Sequence, residues 1–447
     1  MVCNFLYRDY GDFFIAYSPS SRIFLLIEDI YADFFRLEYI EKKSIDEVKK
    51  IIVDDYSVSN EIVHNDLMQF HNEINESVYT NDYIYNNELI EENRVTMQQQ
   101  LFNKMSELMI PFSATIEIVD SCNLSCLHCY RGGVNPSYWT EKTFFSALEE
   151  LKSLGTMNIT ITGGEPFTHP LIEKFLKITE KLGFIVSIQS NLLLLNDSLI
   201  SALRKNVISN IYVSLYSTKE CEHDAITQSP GSMKKTVENI KLLLENNVPV
   251  SLNCPIMKIN KNAMEGMRNF ANKLGVDVKF ALKIIPSQDK SKKVESLNVF
   301  DKDFILSAMR NPEIQLYKNE LNNIRSSKPQ KRYCQTGFRS ITFDAQGNML
   351  ICNAYRKNCG SLNDMNIESL WNDSTPLNNW RKEKSIVREK CNKCPAYSYC
   401  EPCPAHSFTQ SGDEYNIDEL TCLFGSNFYA ADIEYLGKGG ENHEEKV

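Results

Sequence analysis

The sequence predicts an α/β protein: a parallel sheet of six strand–helix units, with a small module before it and a cysteine-rich region after it. Between residues 112 and 288, short apolar strand patterns alternate with amphipathic helices, as in a parallel sheet that is open or curled into a partial barrel. A hairpin pattern and three short helices precede this region. Eight of the 14 cysteines follow it, between residues 334 and 422.

The length and charge of the chain limit its possible functions. A chain of 447 residues can form about two to three domains with a sizeable core. A formal net charge of −10 argues against nucleic acid or an anionic membrane as the main partner. Neither a secretory signal nor an apolar stretch of membrane-spanning length is recognisable, so a cytoplasmic protein is expected.

Residues 1–80 are predicted to form the N-terminal module. Apolar runs at 13–17 and 22–26 flank Ser18-Pro19-Ser20-Ser21, and this pattern predicts a β-hairpin. Three helical patterns follow, at residues 30–37, 45–56 and 61–74, with Ser44 as the expected N-cap of the second. Residues 81–111 are polar and predict a linker with some helix near its end.

The six strands of the sheet are short apolar runs bounded by turn residues. They are predicted at residues 115–119, 158–162, 185–189, 211–215, 251–255 and 278–284. Amphipathic helices separate them, for example at 142–154 and 234–246. Residues 289–330 predict a charged, mostly helical bridge, and residues 437–447 predict a frayed, disordered tail.

Three cysteines follow the first strand in a C-x3-C-x2-C pattern: Cys122, Cys126 and Cys129. Three thiolates at this spacing can hold three irons of a 4Fe-4S cube and leave the fourth iron without a protein ligand. An open iron indicates chemistry, because a pure electron carrier is usually fully ligated. The alternatives are a zinc knuckle that lacks a ligand, although zinc sites usually combine two C-x2-C pairs, or three unrelated core thiols.

Polar residues also follow the next three strands, and in parallel α/β folds such strand ends build the site. The second strand runs into Gly163, Gly164, Glu165 and Pro166. Its two glycines would allow a ligand to approach the backbone and leave amides and carbonyls free to bind it. The third strand ends in Ser190 and Asn191, and the fourth in Ser214. Ordinary turn chemistry is the alternative explanation at each position.

The cysteine pattern, the Gly-Gly-Glu-Pro turn and the strand–helix units together resemble the radical S-adenosylmethionine superfamily over roughly residues 112–285. The resemblance implies a partial (β/α)6, TIM-like barrel. It also implies that the three cysteines ligate a 4Fe-4S cluster whose fourth iron chelates S-adenosylmethionine. The implied cofactor contacts are His128 near the adenine, Gly163, Gly164, Glu165 and Pro166 at the methionyl amine, and Ser190, Asn191 and Ser214 near the ribose or carboxylate.

The implied reaction begins with one-electron cleavage of the sulfonium, and the resulting 5′-deoxyadenosyl radical removes hydrogen from an unactivated C–H bond. The chain departs from the common strand-four ending of the family, Ser-Leu-Asp, because Tyr216 replaces the acid. The substrate pocket is therefore less defined than the cofactor pocket.

The second cysteine set lies in residues 331–436. By chemistry alone, its seven best-spaced thiolates could serve two cubes with one position unfilled, or nearly two zinc ions. The spacing resembles the SPASM extension of radical S-adenosylmethionine enzymes, although only two residues separate Cys400 from Cys403. By that resemblance, two auxiliary 4Fe-4S clusters are held by Cys334, Cys352 and Cys403, and by Cys391, Cys394, Cys400 and Cys422. The first cluster would keep an open iron or borrow Cys359. Three clusters are therefore expected in all.

The N-terminal hairpin and helices resemble a PqqD-like winged-helix module, which binds the leader of a precursor peptide as an added strand. A structural cap on the barrel is the alternative. Together the three parts resemble sactisynthase-type maturases, which form thioethers in ribosomally synthesised peptides. This resemblance implies a precursor peptide as partner and a flavodoxin or ferredoxin as electron donor.

Three other functions remain open: a carbon–carbon crosslinking maturase, a sulfatase maturase that makes formylglycine, and a non-enzymatic iron–sulfur carrier or adaptor. No general base is identified, because no histidine lies in a pattern with catalytic spacing. The pair His223-Asp224 after strand four is the most interesting one, with an ordinary helix start as the alternative.

Overall fold

The computed structural model of the protein describes residues 5–79, 100–131, 137–287, 294–308, 334, 336–382, 391–400 and 403–439. Most of the predicted linker, most of the predicted bridge and residues 440–447 of the predicted tail lie outside these ranges. The described part contains a three-stranded and a nine-stranded sheet. The predicted α/β class with a parallel central sheet is confirmed.

The N-terminal module consists of an antiparallel sheet followed by helices. Its strands are β1 (Leu6–Asp9), β2 (Phe13–Ser18) and β3 (Ile23–Glu28), in the order β1-β2-β3. Its helices are α1 (Ile30–Phe35), which continues as a π-helical turn (Arg36–Ile40), α2 (Ile45–Tyr56) and α3 (Asn60–Tyr79). The predicted hairpin and three helices are present. Ser44 caps α2 in a capping box with Glu47, as expected.

The β2 strand is buried on both faces, and this double burial attaches the module to the barrel. Phe14 and Ala16 pack against the module's own helices. Phe13, Ile15 and Tyr17 face the other way and pack against a second cluster, which includes Met157 and Ile185 of the barrel region. Period-2 alternation along one strand therefore joins two cores.

The barrel region has six parallel strands: β4 (Ser113–Val119), β5 (Asn158–Gly163), β6 (Ile185–Ser190), β7 (Val207–Ser214), β8 (Val250–Pro255) and β9 (Asp277–Ala281). They pair in sequence order. The predicted strands are present, and two of their ends are shifted by three or more residues. The β7 strand begins at Val207, opposite Ile185 of β6. The β9 strand ends at Ala281 rather than at residue 284, because its partner β8 ends at Pro255.

In the described part of this region, seven α-helices accompany the strands. They are α4 (Glu141–Ser153), α5 (Ile172–Leu182), α6 (Asp197–Lys205), α7 (Glu220–Thr227), α8 (Ser232–Glu245), α9 (Met264–Leu274) and α10 (Lys302–Ala308). Alternate strand residues such as Ile116, Ile161 and Val213 pack in one core with helical residues such as Phe144. The intervening positions face the other side of the sheet.

The cysteine-rich region extends the barrel sheet. Strand β10 (Ser340–Phe343) pairs parallel to β4, and β11 (Asn348–Leu350) and β12 (Asn358–Ser361) continue outward in antiparallel fashion. The helices that follow are α11 (Ile367–Asp373), α12 (Thr375–Lys382), α13 (Pro404–Ser411) and α14 (Glu419–Gly439). Helix α14 ends at Gly439 and so includes the first three residues of the tail predicted from residue 437. Among the described residues, every helix is too short or too polar to cross a bilayer.

Candidate cluster and cofactor site

The cysteine loop, residues 120–131, follows β4 at the carboxyl edge of the sheet. Cys122 is exposed, and Cys126 and Cys129 are partly buried. The Leu124 amide donates a hydrogen bond to the Cys122 sulfur at 3.4 Å, and the Cys129 amide donates to the Cys126 carbonyl at 3.2 Å. Burial raises the pKa of Cys126 to about 12, and the charges of the other two thiolates contribute to that rise. The loop therefore brings the three predicted ligands together.

The two glycines at the end of β5 are required because the end of β4 and the start of the cysteine loop approach them closely. A Cβ on Gly163 would lie 2.2 Å from the Val119 carbonyl oxygen, and one on Gly164 would lie 2.2 Å from the Ser121 carbonyl oxygen. The Gly164 amide donates to Val119 at 2.8 Å, and the Glu165 amide donates to Ser121 at 2.9 Å. The expectation that these amides stay free for a ligand was wrong, because the loop backbone occupies them.

The Glu165 carboxylate is buried and connects the ends of β5 and β6. It accepts hydrogen bonds from the Ser190 hydroxyl at 2.7 Å, the Asn191 amide at 2.7 Å and the Phe167 amide at 3.0 Å. Burial raises the pKa of Glu165 to about 7, although these hydrogen bonds oppose the rise. Pro166 follows and begins a short 3-10 helix (Pro166–Thr168).

The Asn191 side chain connects the end of β6 to the cysteine loop. Its Nδ2 donates to the Asn123 side-chain oxygen at 2.8 Å, between Cys122 and Cys126 in the sequence. The structure therefore brings together Glu165, Ser190 and Asn191, which were predicted as cofactor contacts. It also uses much of their hydrogen-bonding capacity in bonds to one another and to the loop.

His128 and Ser214, the two remaining predicted cofactor contacts, lie on either side of Tyr216. The His128 ring packs edge-on against the Tyr216 ring, with centroids 4.8 Å apart. Ser214 ends β7, two residues before Tyr216. Tyr216 was noted in the sequence only as a departure from the family pattern, and its placement beside the cysteine loop was not predicted.

The His223-Asp224 pair has a structural explanation. His223 is buried, burial lowers its pKa to about 4, and the neutral ring accepts a hydrogen bond from the Tyr216 amide at 3.2 Å. Asp224 accepts from the Gly231 amide at 2.5 Å and the Met233 amide at 2.9 Å at the start of α8. The pair therefore supports a loop and a helix start and is not assigned a catalytic role.

The first auxiliary set comprises Cys334, Cys352 and Cys403. Burial, with a smaller contribution from the charges of Cys403 and Cys334, raises the pKa of Cys352 to about 11, so the three thiols lie in one region. Cys359 lies on β12, and its thiol donates to the Lys357 carbonyl at 3.6 Å and also contacts Ser374. This orientation favours three cysteines with an open iron over recruitment of Cys359.

The second auxiliary set comprises Cys391, Cys394, Cys400 and Cys422. The first three lie on or beside two short 3-10 turns (Cys391–Lys393 and Tyr397–Tyr399). Cys400 packs against α14, where a Cβ on Gly425 would lie 2.9 Å from the Cys400 Cβ. The Cys400 thiol donates to the Thr421 carbonyl at 3.7 Å, next to Cys422 in the chain. Packing on α14 thus brings distant members of the set to one place.

Lys283 follows β9 and reaches the region between the two auxiliary sets. Its ammonium donates to the Thr421 hydroxyl at 3.1 Å. Burial raises the pKa of Cys403, and the positive charge of Lys283 opposes that rise. The carboxyl end of the barrel therefore contributes a cation to the auxiliary region.

An ionic network at the seam between barrel and auxiliary region was missed in the sequence. Glu117 of β4 is fully buried. Its carboxylate binds Arg356 at 2.7 and 2.9 Å and lies 3.3 Å from Arg131. Arg131 follows Cys129 by two residues, and Arg356 follows Cys352 by four. The only sequence signal was an acid within the apolar strand Ile116-Glu117-Ile118.

The donor sets fit iron–sulfur clusters, because each set consists of thiols, which become ligands once deprotonated. Among the described residues, no three or more His, Cys, Asp or Glu side chains are grouped as a single metal ion would require. The three ligand sets therefore stay predictions, which rest on the positions of the cysteines in the chain.

Two family profiles match this architecture. The radical SAM superfamily matches residues 116–271, and the SPASM iron–sulfur cluster-binding domain matches residues 334–395. A GTP 3′,8-cyclase of Clostridium perfringens (strain SM101 / Type A) is 30% identical over 173 residues, which cover 37% of this chain and 53% of that protein. The match thus spans about half the length of this relative.

Two further proteins match over more of the chain. The antilisterial bacteriocin subtilosin biosynthesis protein AlbA of Bacillus subtilis (strain 168) is 23% identical, over 69% of this chain and 70% of its own. Streptococcus suis SuiB, solved bound to precursor peptide SuiA, superposes with a TM-score of 0.63 at 15% identity, over 93% of this chain and 98% of its own. This likeness shows that the chain has the same overall fold as SuiB across its N-terminal module, barrel and auxiliary region.

Proposed function

We propose that this protein modifies a ribosomally synthesised precursor peptide by abstracting hydrogen from an unactivated C–H bond. The chain belongs to the radical SAM superfamily and carries a SPASM domain. The observation that carries the proposal is the cysteine loop, whose three cysteines lie on one short segment at the carboxyl edge of the six parallel barrel strands. When bound, the cluster and S-adenosylmethionine would supply a 5′-deoxyadenosyl radical.

The residues of the chain would hold and orient the reacting groups. Cys122, Cys126 and Cys129 would ligate the cluster, and the hydrogen bonds from Gly164 and Glu165 would keep the loop fixed to β5. On the sheet face opposite the helices, the Thr162 hydroxyl donates to the Gln189 side chain at 3.1 Å. This polar face suits a peptide, whose backbone needs hydrogen-bonding partners.

Peptide substrates are supported by two likenesses and by the N-terminal module. The matched AlbA is named for bacteriocin biosynthesis, and the matched SuiB was solved with a precursor peptide. Within the described residues, β3 pairs only with β2, so its outer edge is open to an added strand. A leader peptide that pairs with this edge would gain backbone hydrogen bonds, which is the role expected of a PqqD-like module.

The product we favour is a thioether between a core-peptide cysteine and a carbon atom. Each such crosslink removes one hydrogen atom from carbon, one proton from the thiol and one further electron. The first auxiliary set has three thiols, so one iron would remain open to bind a substrate thiolate or to accept that electron. A flavodoxin or ferredoxin would reduce the cluster held by the cysteine loop.

Anaerobic co-expression with a small cysteine-containing reading frame adjacent to the gene, followed by tandem mass spectrometry, tests the proposal. We expect a loss of two hydrogens per crosslink, with core cysteines that no longer react with an alkylating agent. The same mass loss with alkylatable cysteines would instead indicate the carbon–carbon crosslinking maturase. A peptide that leaves the enzyme unchanged would contradict peptide modification.

Two other functions are separated by simple measurements. Formation of 5′-deoxyadenosine under dithionite without peptide would exclude the non-enzymatic carrier or adaptor. Conversion of a sulfatase cysteine or serine to formylglycine would support the sulfatase maturase. The N-terminal module with an open strand edge favours a leader-bearing peptide over a sulfatase.

A further inference from the structure

Lys279 lies on the polar face of the barrel sheet, opposite the helices. Its neighbours in β9, Val278 and Phe280, pack in the core that contains the helical residues, so the Lys279 side chain projects from the other face. That face also carries Gln189 of β6 and Tyr212 of β7, which pair in register and alternate with core residues in the same way. The three side chains therefore share one surface of the barrel.

The Lys279 ammonium is directed inward across this surface. Its Nζ lies 5.3 Å from the centroid of the Tyr212 ring, although strand β8 separates β9 from β7. Strand β9 is an edge strand, and an edge lysine commonly extends outward into solvent. The attraction between the cation and the ring instead holds the charge over the face of the sheet.

No described carboxylate neutralises this cation. Asp277 precedes Lys279 by two residues on the same face, and within the described part of the chain neither residue forms an ion pair. The cations at the other end of the barrel differ, because Arg131 and Arg356 both contact the buried Glu117 carboxylate. The charge of Lys279 is therefore available to a ligand.

The surface around Lys279 is accessible and offers hydrogen-bond donors. Gln189 is exposed, although β6 has a strand on either side. Its side-chain oxygen accepts from Thr162 at 3.1 Å, and no described residue accepts from its side-chain nitrogen. Tyr212 and Asn253, which lies opposite Lys279 in register, are half-buried. A cation beside amide and hydroxyl donors is the combination that binds a carboxylate.

We propose that Lys279 binds an aspartate or glutamate side chain of the core peptide on this surface. The inference rests on the proposed function and adds the chemical class of the residue that is recognised. The formal net charge of −10 gives an acidic peptide no general attraction to the protein, so its recognition requires a local cation. Strand β9 ends two residues after Lys279, at the carboxyl edge where the cysteine loop lies, so the bound acid would be close to the reacting carbon.

Lys279→Gln tests the inference, because it removes the charge from an exposed side chain and leaves no cavity. The ligand is the core segment of the small reading frame adjacent to the gene, fluorescently labelled and amidated at its C terminus. The leader is omitted so that the N-terminal module does not contribute to binding, and fluorescence anisotropy gives the Kd. We expect the Kd to rise roughly tenfold in Lys279→Gln. Lys279→Arg keeps the charge and should bind nearly as tightly as the wild type.

Lys273→Gln is the matched control. Lys273 is exposed in the last turn of α9, in the helical layer just before β9. Its replacement changes the net charge by the same amount and should leave the Kd unchanged. A second ligand, in which every Asp and Glu of the core segment is replaced by Asn and Gln, should bind equally to the wild type and to Lys279→Gln.

Equal Kd values of the wild type and Lys279→Gln for the acidic core segment would overturn the inference, as would an equal loss of affinity in Lys273→Gln. A core segment that does not bind, or that binds but contains neither Asp nor Glu, would also overturn it. These outcomes leave the proposed function standing, because that function is judged separately by the mass of the co-expressed peptide.

Discussion

The cysteine loop of the barrel and the auxiliary cysteines of the C-terminal region are positioned by different kinds of structure. The loop is one continuous segment whose backbone is bonded to the end of β5 at Gly164 and Glu165. The auxiliary cysteines come from separate segments, which are brought together by short turns and by packing on α14. The first site therefore depends on a rigid sheet edge, and the second depends on contacts between segments distant in sequence.

This difference indicates where each region tolerates change. A strand end in a parallel sheet has little freedom, because its neighbours fix its position on both sides. Side chains that pack between short turns can shift by a few tenths of an ångström. We therefore expect the barrel loop to respond sharply to small substitutions and the auxiliary region to respond more gradually.

The largest expected effect comes from removing a ligand in each region. Cys126→Ala should abolish formation of 5′-deoxyadenosine and reduce iron content by about a third if three equal clusters are present. Cys400→Ala should lose a similar share of iron but keep cleavage of S-adenosylmethionine without peptide. Iron analysis and chromatography of the nucleoside measure both. Retained cleavage in Cys126→Ala would refute the assignment of the loop.

The next effect concerns the seam that joins the two regions. Glu117→Gln leaves Arg131 and Arg356 without their buried carboxylate, and breaking a buried ion pair costs about 3–5 kcal/mol. Denaturant unfolding measures the loss. Glu141→Gln is the control, because its bond to Lys174 at 2.9 Å is exposed and is worth at most about 1 kcal/mol. Equal effects of the two variants would mean that the seam contributes no special stability.

Two glycines, one in each region, test this difference in tolerance. Gly164→Ala would place a Cβ 2.2 Å from a backbone oxygen of the cysteine loop, whereas Gly425→Ala would place one 2.9 Å from the Cys400 side chain. We expect the first to cost about 3 kcal/mol and the second about 1 kcal/mol, because the overlap at Gly164 is much deeper than the overlap at Gly425. Thermal unfolding and iron content per protein check this order. A larger loss in Gly425→Ala would reverse the comparison.

Much of the barrel was predictable, because its strands are apolar runs of β-branched residues and its ligands are closely spaced cysteines. The pairing of β10 with β4 was not, since β10 has four residues and its partner lies more than 200 positions away. Strand β1 was missed as well, because Leu6-Tyr7-Arg8-Asp9 lacks a clear strand pattern. It is held partly by Arg8, whose guanidinium donates to the Thr156 carbonyl at 2.9 Å.

In the site, sequence alone identified residue types but not their partners. Gly163 and Gly164 were expected to admit a ligand, and the structure shows that they admit the loop backbone. The partners of Glu117 and Tyr216 depend on which strand ends and loops meet in three dimensions. No local sequence pattern indicates such contacts. The two features missed in the sequence, the contacts of Glu117 and those of Tyr216, are therefore both tertiary networks.

The smallest expected effect is a pH dependence confined to the barrel. Burial lowers the pKa of His223 to about 4, below its usual value, so the unfolded chain binds more protons than the folded protein between about pH 4 and 6.5. Stability should therefore fall as pH decreases through this window, by roughly 1–1.5 kcal/mol at pH 5.5. Denaturant midpoints measured from pH 7.5 to 5 would show the decline.

His223→Asn isolates this contribution, because the asparagine oxygen can accept the hydrogen bond from the Tyr216 amide without titrating. The variant should lose less stability than the wild type on acidification, while exposed His64→Asn should follow the wild-type profile. Identical pH profiles for wild type and His223→Asn would mean that protonation of His223 does not lower the free energy of unfolding. Tyr216 would then be held less rigidly than its contacts with His223 indicate.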